Sequence, residues 1–125
     1  MKTIINTHDA PAPIGPYSQA VMVNGVLYMS GQIAIDPANG EYVPADAKTE
    51  TVQVMKNIKA VLAAAGLELS NVVKTSIFLK DMNDFGAVNE EYASHFTSDF
   101  PARETVQVSV LPKNARVEIS MIAVK

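Results

Sequence analysis

The stretch SQAVMVNGVLYMS, residues 18–30, decides how the fold begins. Asn24-Gly25 at its centre is a strong signal for a two-residue hairpin turn, because both residue types tolerate the positive φ angles that such a turn needs. Residues that favour strands follow the turn as Val26-Leu27-Tyr28-Met29. The stretch therefore predicts a β-hairpin.

The next segments predict a helix and then a strand. Apolar residues recur at helical spacing between residues 46 and 65, with lysines and asparagine on the opposite side. Asp46 can cap the start of this helix and Gly66 can end it. Residues 72–80 alternate in the way that is typical of a β-strand.

The remainder of the chain completes the pattern. A weaker helix is predicted over residues 82–97, and two further strands over 105–110 and 116–124. The order of elements is then ββαβαββ. A sheet with two helices is most simply built as two layers, with both helices on one face of a mixed sheet. The predicted class is α+β.

The last predicted strand carries apolar residues on both of its sides. Val117, Ile119 and Met121 point one way, whereas Glu118, Ser120 and Ile122 point the other. A half-apolar second face is unusual for a monomer and favours a subunit interface.

Composition limits the classes of function. The 125 residues predict a single domain spanning 1–125, and the absence of cysteine excludes disulfides and thiolate chemistry. The net charge of −3 and the scattered basic residues do not favour nucleic-acid binding. No membrane-spanning or targeting segment is recognised, so we expect a cytoplasmic protein without a membrane partner.

Arg103 and Glu118 are the strongest candidates for chemistry. Arg103 opens a strand just after a helix-ending proline, and Glu118 interrupts a mostly apolar strand. An arginine can bind a carboxylate through two parallel hydrogen bonds, and a partly buried glutamate can take a proton from water. The alternative is structural: an exposed or ion-paired Arg103, and a Glu118 that is paired with Arg103 or Arg116.

Other candidates carry weaker signals. Tyr17, Ser30 and Gly31 lie near predicted turns, where such residues commonly serve packing or backbone geometry. His8 and His95 lack nearby carboxylates that would complete a metal site, and we interpret both as surface or packing residues. No metal site is predicted.

The chain resembles the RidA (YjgF) family of reactive intermediate deaminases. The similar segments follow one another in order along almost the whole chain: Gly15 to Ala20, Tyr28 to Gln32, Asn89 to Tyr92, Pro101 to Arg103, Leu111 to Lys113 and Val117 to Ile119. The resemblance implies a chorismate-mutase-like fold, a homotrimer with active sites between subunits, and no cofactor.

The resemblance also implies a reaction. Family members hydrolyse the reactive enamines and imines 2-aminoacrylate and 2-aminocrotonate to 2-keto acids and ammonia, which protects pyridoxal-phosphate enzymes. By position, Arg103 corresponds to the carboxylate-binding residue and Glu118 to the acid that contacts water. The remaining site residues that the resemblance implies are Tyr17, Ser30, Gly31, Thr105 and Asn89.

The chain departs from the family pattern at two positions. Thr105 stands where many deaminases of the family have cysteine, and Ser120 where they have a second acid. Threonine is expected to preserve a backbone N–H contact while altering the pocket, whereas Ser120 bears on substrate preference. The alternative functions are a non-catalytic binder of 2-keto acids and a ribonuclease or translation inhibitor.

Overall fold

A computed structural model describes residues 1–125. Short 3₁₀ turns at Leu69–Asn71, Met82–Asp84 and Pro112–Asn114 connect its main elements. In chain order these elements are β1 (Thr3–Ile5), β2 (Ala20–Val23), β3 (Val26–Met29), β4 (Ile35–Asp36), β5 (Glu41–Tyr42), α1 (Ala47–Ala64), β6 (Val72–Leu79), α2 (Phe85–Ala93), β7 (Ala102–Gln107) and β8 (Val117–Val124).

Six strands form the main sheet in the order β1-β2-β3-β8-β6-β7. Only β6 and β7 run parallel, so the sheet is mixed. Both helices pack on one face, where Tyr92 of α2 donates a hydrogen bond to Thr75 of β6 and α1 covers the buried side of β8. The predicted α+β architecture is confirmed.

The local sequence signals of the β2–β3 hairpin and of α1 act as predicted. Asn24 and Gly25 have φ angles of 50° and 77°, and they join β2 to β3 in a tight hairpin. Asp46 caps α1 by accepting a hydrogen bond from the Thr49 backbone N–H at 2.7 Å. Gly66 follows the helix with a φ of 75°, as a helix-ending glycine does.

Three element predictions differ from the structure. The strands β1 and β4–β5 were not predicted, because two or three residues carry too little pattern to reveal a strand. The second helix is shorter than the predicted 82–97, since a 3₁₀ turn precedes Phe85 and the helix ends at Ala93. The predicted strand 105–110 is instead β7, because pairing with β6 begins at Ala102 and ends where β6 ends.

The alternation along β8 separates a buried side from a free one. Val117, Ile119 and Met121 are at most 2% exposed beneath the helices. The opposite side of the sheet, here called the free face, has no helix over it. Cross-strand pairing places the following residues on the free face: Tyr28, Ser76, Phe78, Val106, Glu118, Ser120 and Ile122.

Candidate functional site

Glu118 packs directly against the backbone of Gly31. The backbone of Gln32 pairs with that of Ile119 in both directions, at 2.8 and 3.1 Å, which brings the two segments side by side. A Cβ atom added at Gly31 would lie 2.5 Å from the Oε2 atom of Glu118. The position of the Glu118 carboxylate therefore requires glycine at residue 31.

A cavity of about 400 Å³ opens beside this contact. Tyr17, Ser30, Gly31 and Glu118, four of the predicted site residues, line it together. The Ser30 hydroxyl donates a hydrogen bond to the Ser18 carbonyl at 2.6 Å, so its oxygen can still accept one. The remaining lining residues are mostly apolar: Pro11, Ala12, Ile14, Gln19, Gln32, Ile33, Ile35 and Pro112.

Burial controls the acidity of Glu118. Desolvation raises the pKa of this carboxyl above the ordinary glutamate value, and no charged or hydrogen-bonding neighbour offsets the effect. A carboxylate in this environment holds a proton more readily than one in water. Glu118 can thus accept a proton from a water molecule in the cavity.

Gln19 shapes the same cavity, although it was not among the site residues predicted from the sequence. This buried side chain accepts a hydrogen bond from the Thr7 backbone N–H at 2.7 Å and donates to the carbonyls of Thr7, Ala10 and Pro11. It fixes the N-terminal segment that supplies one cavity wall. Its partners lie 8 to 12 residues away in a segment without regular structure, so periodicity cannot reveal them.

Arg103 and Asn89 lie at a second cavity, between α2 and the start of β7. The guanidinium donates a hydrogen bond to Asn89 Oδ1 at 2.7 Å. It also lies 5.3 Å from the ring centre of Tyr92 and 5.7 Å from that of Phe85. Since no carboxylate pairs with Arg103, its charge and most of its N–H groups are available to an anionic ligand.

Thr105 is on the same side of the sheet as Arg103. It pairs with Ile77, whose side chain is buried beneath the helices. Its hydroxyl oxygen is buried and has no hydrogen-bond partner. Within one chain, Arg103 and Asn89 therefore lie at one cavity, here called the arginine cavity, and Thr105 lines neither cavity. The other four predicted residues line the first cavity, here called the glutamate cavity: Tyr17, Ser30, Gly31 and Glu118.

The ion pairs that would give Arg103 and Glu118 a purely structural role are not formed. Arg116 approaches Glu50 at 3.7 Å rather than Glu118, and Glu118 takes part in no ion pair. His95 pairs with Glu91 at 2.8 Å.

No three histidine, aspartate or glutamate side chains lie close enough to hold a metal ion. No helix has the length and apolar character needed to cross a bilayer.

Fold and cavities together define a class: a small α+β protein with an unpaired arginine in an aromatic cavity and a desolvated carboxylate in a mostly apolar one. Comparison with known proteins identifies the family. The family described as endoribonuclease L-PSP matches residues 7–125, and the chain belongs to this family, which includes the RidA (YjgF) proteins.

Relatives match along nearly their full length. A RutC family protein of Pyrococcus horikoshii is 53% identical over all of this chain and 99% of its own. A mouse protein named 2-iminobutanoate/2-iminopropanoate deaminase is 50% identical over all of this chain and 93% of its own. The crystal structure of a Rid family protein of unknown function from Yersinia pestis has a TM-score of 0.98 and 51% identity, with full coverage of both chains.

Proposed function

We propose that this protein is a hydrolytic deaminase. Its substrates are 2-aminoacrylate, 2-aminocrotonate and their imine tautomers, which it converts to 2-keto acids and ammonia. The observation that carries the proposal is the unpaired Glu118 carboxylate, which contacts Gly31 at the edge of a cavity of about 400 Å³. Mammalian relatives near 50% identity bear the name 2-iminobutanoate/2-iminopropanoate deaminase, which supports the same reaction.

The complete site in this proposal lies between two subunits of a homotrimer. Arg103 and Glu118 point to opposite faces of the sheet, so one small substrate cannot touch both within a single chain. Apolar residues on the free face, such as Tyr28 at 49% exposure and Val106 at 41%, suit contact with another copy. The arginine cavity of one chain would then meet the glutamate cavity of the next.

Each predicted residue has a physical role in binding. The Arg103 fork holds the substrate carboxylate, while Asn89 fixes the orientation of the guanidinium. Tyr17 covers the apolar end of the substrate, and Ser30 and Gly31 supply the polar rim. Thr105, two residues from Arg103 on the same strand, offers its backbone N–H beside the carboxylate.

Hydrolysis then proceeds in two proton-balanced steps. Water attacks the protonated imine carbon, the C=N electron pair moves to nitrogen, and Glu118 takes the proton that water loses. The resulting carbinolamine receives that proton on its nitrogen from Glu118. Ammonia leaves as the C=O bond forms, and the hydroxyl proton returns to the carboxylate and then to ammonia. No redox partner or cofactor enters this balance.

Two other functions would use different features. A non-catalytic 2-keto acid binder would need Arg103 but not Glu118. A ribonuclease, which the family description names, would need several cations converging on a phosphate backbone. Arg103 is the only cationic residue among those that line the two cavities. The lining of the two cavities therefore favours a small carboxylate ligand over RNA.

A coupled assay tests the proposal. A pyridoxal-phosphate dehydratase generates 2-aminoacrylate from serine, and 2-keto acid formation is followed with the parent protein, with Glu118→Gln and with the control Glu41→Gln at an exposed carboxylate. We expect the parent and the control to accelerate hydrolysis, and Glu118→Gln to lose about 10²–10⁴-fold. If the dehydratase also keeps its activity longer in the presence of the parent protein, the protein protects that enzyme. A parent that binds 2-keto acids without turnover would contradict the proposal, as would cleavage of RNA instead.

The single-domain organisation and the cytoplasmic location stay predictions.

A further inference from the structure

Helix α1 buries three polar side chains that line neither cavity, and two of them, Glu50 and Asn57, form hydrogen bonds to segments outside the helix. Glu50 is 1% exposed and Asn57 is fully buried. The two residues are seven positions apart, which places them on the same side of the helix, about two turns from one another. Burying a carboxylate and an amide costs free energy unless both are fully bonded, so their partners indicate what they are for.

Glu50 joins β5 to the residue that precedes β8, the strand that carries Glu118. Its Oε1 atom accepts a hydrogen bond from the Arg116 backbone N–H at 3.0 Å, immediately before β8. Its Oε2 atom accepts one from the Tyr42 hydroxyl at 2.6 Å, in β5. Burial and this hydrogen bond raise the pKa of Tyr42 to about 12, so the phenol stays a donor.

Asn57 holds the opposite wall of the same cavity. Its Nδ2 atom donates to the Ile33 carbonyl at 3.2 Å and to the Ile35 carbonyl at 2.9 Å. Gln53 donates to its Oδ1 atom at 2.9 Å, which fixes the orientation of the amide. Ile33 and Ile35 both line the cavity.

Each set includes one contact that lies two residues from the Gly31–Glu118 contact. Arg116 precedes Glu118 by two residues along the chain, and Ile33 follows Gly31 by two. The contact itself tolerates little change, since even a methyl group at residue 31 would overlap the carboxylate. A small shift of either segment would open the carboxylate to water or push it out of place.

We propose that Glu50 and Asn57 are positioning residues, which hold Gly31 and Glu118 together and keep the carboxylate desolvated. The inference rests on the proposed function for its catalytic consequence, but its structural content can be measured without turnover. Tyr17 is the only other titratable residue that lines the cavity, and Phe78 is the cross-strand neighbour of Glu118. Within one chain, the environment of Glu118 is therefore set mainly by how closely these segments pack.

The test measures the Glu118 pKa directly, by carbon NMR titration of the side-chain carboxyl in the full-length protein. Its signal is assigned from its absence in Glu118→Gln. We expect Glu50→Leu and Asn57→Leu to return this pKa toward that of an ordinary glutamate. They should also lower kcat for imine hydrolysis by about 10–100-fold with less change in KM, since small misplacements cost this much.

Two further variants separate positioning from stability. Glu50→Gln keeps an acceptor for Arg116 and a partner for Tyr42, so it should retain the parental Glu118 pKa and most of the activity. Thr51→Val is the matched control on α1, because its buried hydroxyl donates only to the Ala47 carbonyl within the helix. It should keep the parental pKa and kcat even if its melting temperature falls.

The proposal is overturned if the leucine variants melt at lower temperature but keep the Glu118 pKa and kcat of the parent. Should they fail to fold, Tyr42→Phe removes one Glu50 contact and Asn57→Ser removes the amide group, and both variants are judged by the same two readouts. A parent without deaminase activity whose Glu118 pKa still falls in these variants would refute the proposed function while supporting the positioning role.

Discussion

Arg103 and Glu118 lie on opposite faces of one sheet. Arg103 pairs with Thr75 and Glu118 with Phe78, on the two strands that flank β6. They are therefore separated by about 10 Å along the strands and about 10 Å across them, in addition to the thickness of the sheet. A substrate with three or four carbon atoms cannot bridge that separation, so a common site requires a second chain.

The free face should assemble three chains. Sedimentation equilibrium is expected to give about three times the chain mass of 13.4 kDa, because closed symmetry fixes the copy number. Tyr28→Glu buries a charge in the proposed interface and should yield smaller species. Val52→Glu is the control, since this exposed residue lies on α1, away from the free face. A parent protein that stays monomeric at all concentrations would exclude an intersubunit site.

Arg103 should account for the affinity for 2-keto acids. Arg103→Ala is expected to cost about 2–5 kcal/mol of binding free energy if the pair is desolvated. Arg103→Lys should also lose most of the affinity, because lysine keeps the charge but lacks the planar fork. Titration calorimetry with pyruvate or 2-ketobutyrate measures both, with the exposed Lys59→Ala as control. Unchanged affinity in both arginine variants would mean that the carboxylate of the 2-keto acid binds away from Arg103.

Gly31→Ala should separate folding from chemistry. The added methyl group would displace the flexible Glu118 side chain rather than backbone, so the fold is expected to remain. Turnover should fall by about 10²-fold, as expected for a misplaced catalytic group. Gly86→Ala provides the comparison, because a Cβ atom there meets nothing within 4 Å and alanine favours a helix. Equal turnover in the two alanine variants would mean that the Gly31 contact has no functional role.

Ionisation of Glu118 should reduce stability. Burial raises its pKa in the folded state, so folding is favoured while the group is protonated and this contribution is lost as pH rises through the folded-state pKa. Glu118→Gln should therefore melt at higher temperature than the parent at neutral pH. The difference should close below about pH 4.3, the ordinary pKa of glutamate. A parent that is the more stable of the two at neutral pH would instead indicate a structural partner for the carboxylate.

The sequence predicted those parts of the fold that depend on local signals. Asn24-Gly25 and Asp46 act through hydrogen bonds and φ angles within a few residues, and each was identified correctly. β1 was missed because its three residues become a strand only by pairing with β2, well downstream. The limits of β7 were wrong for a similar reason, since its partner β6 decides where pairing stops.

The candidate site shows the same division. Residue type and position were enough to select Arg103 and Glu118, whereas Ser30 and Gly31 were selected through the resemblance to the RidA family. Their arrangement could not be predicted, because the Gly31–Glu118 contact depends on the pairing of Gln32 with Ile119, which are far apart in the chain. Glu50, Asn57 and Gln19 likewise have long-range partners. Asn57 was predicted on the side of α1 opposite the apolar residues, but it is fully buried. A buried polar residue in a helix gives no sequence pattern that distinguishes it from an exposed one.

Mixed trimers test the central claim, that Arg103 of one chain and Glu118 of another form a single deaminase site. Arg103→Ala and Glu118→Gln are assayed alone, and again after the two are unfolded and refolded together in equal amounts. Each variant alone should be nearly inactive. Random assembly gives about a quarter of the sites an intact arginine and an intact glutamate from different chains, and a corresponding fraction of parental turnover should return. A mixture no more active than its two components would contradict the shared site.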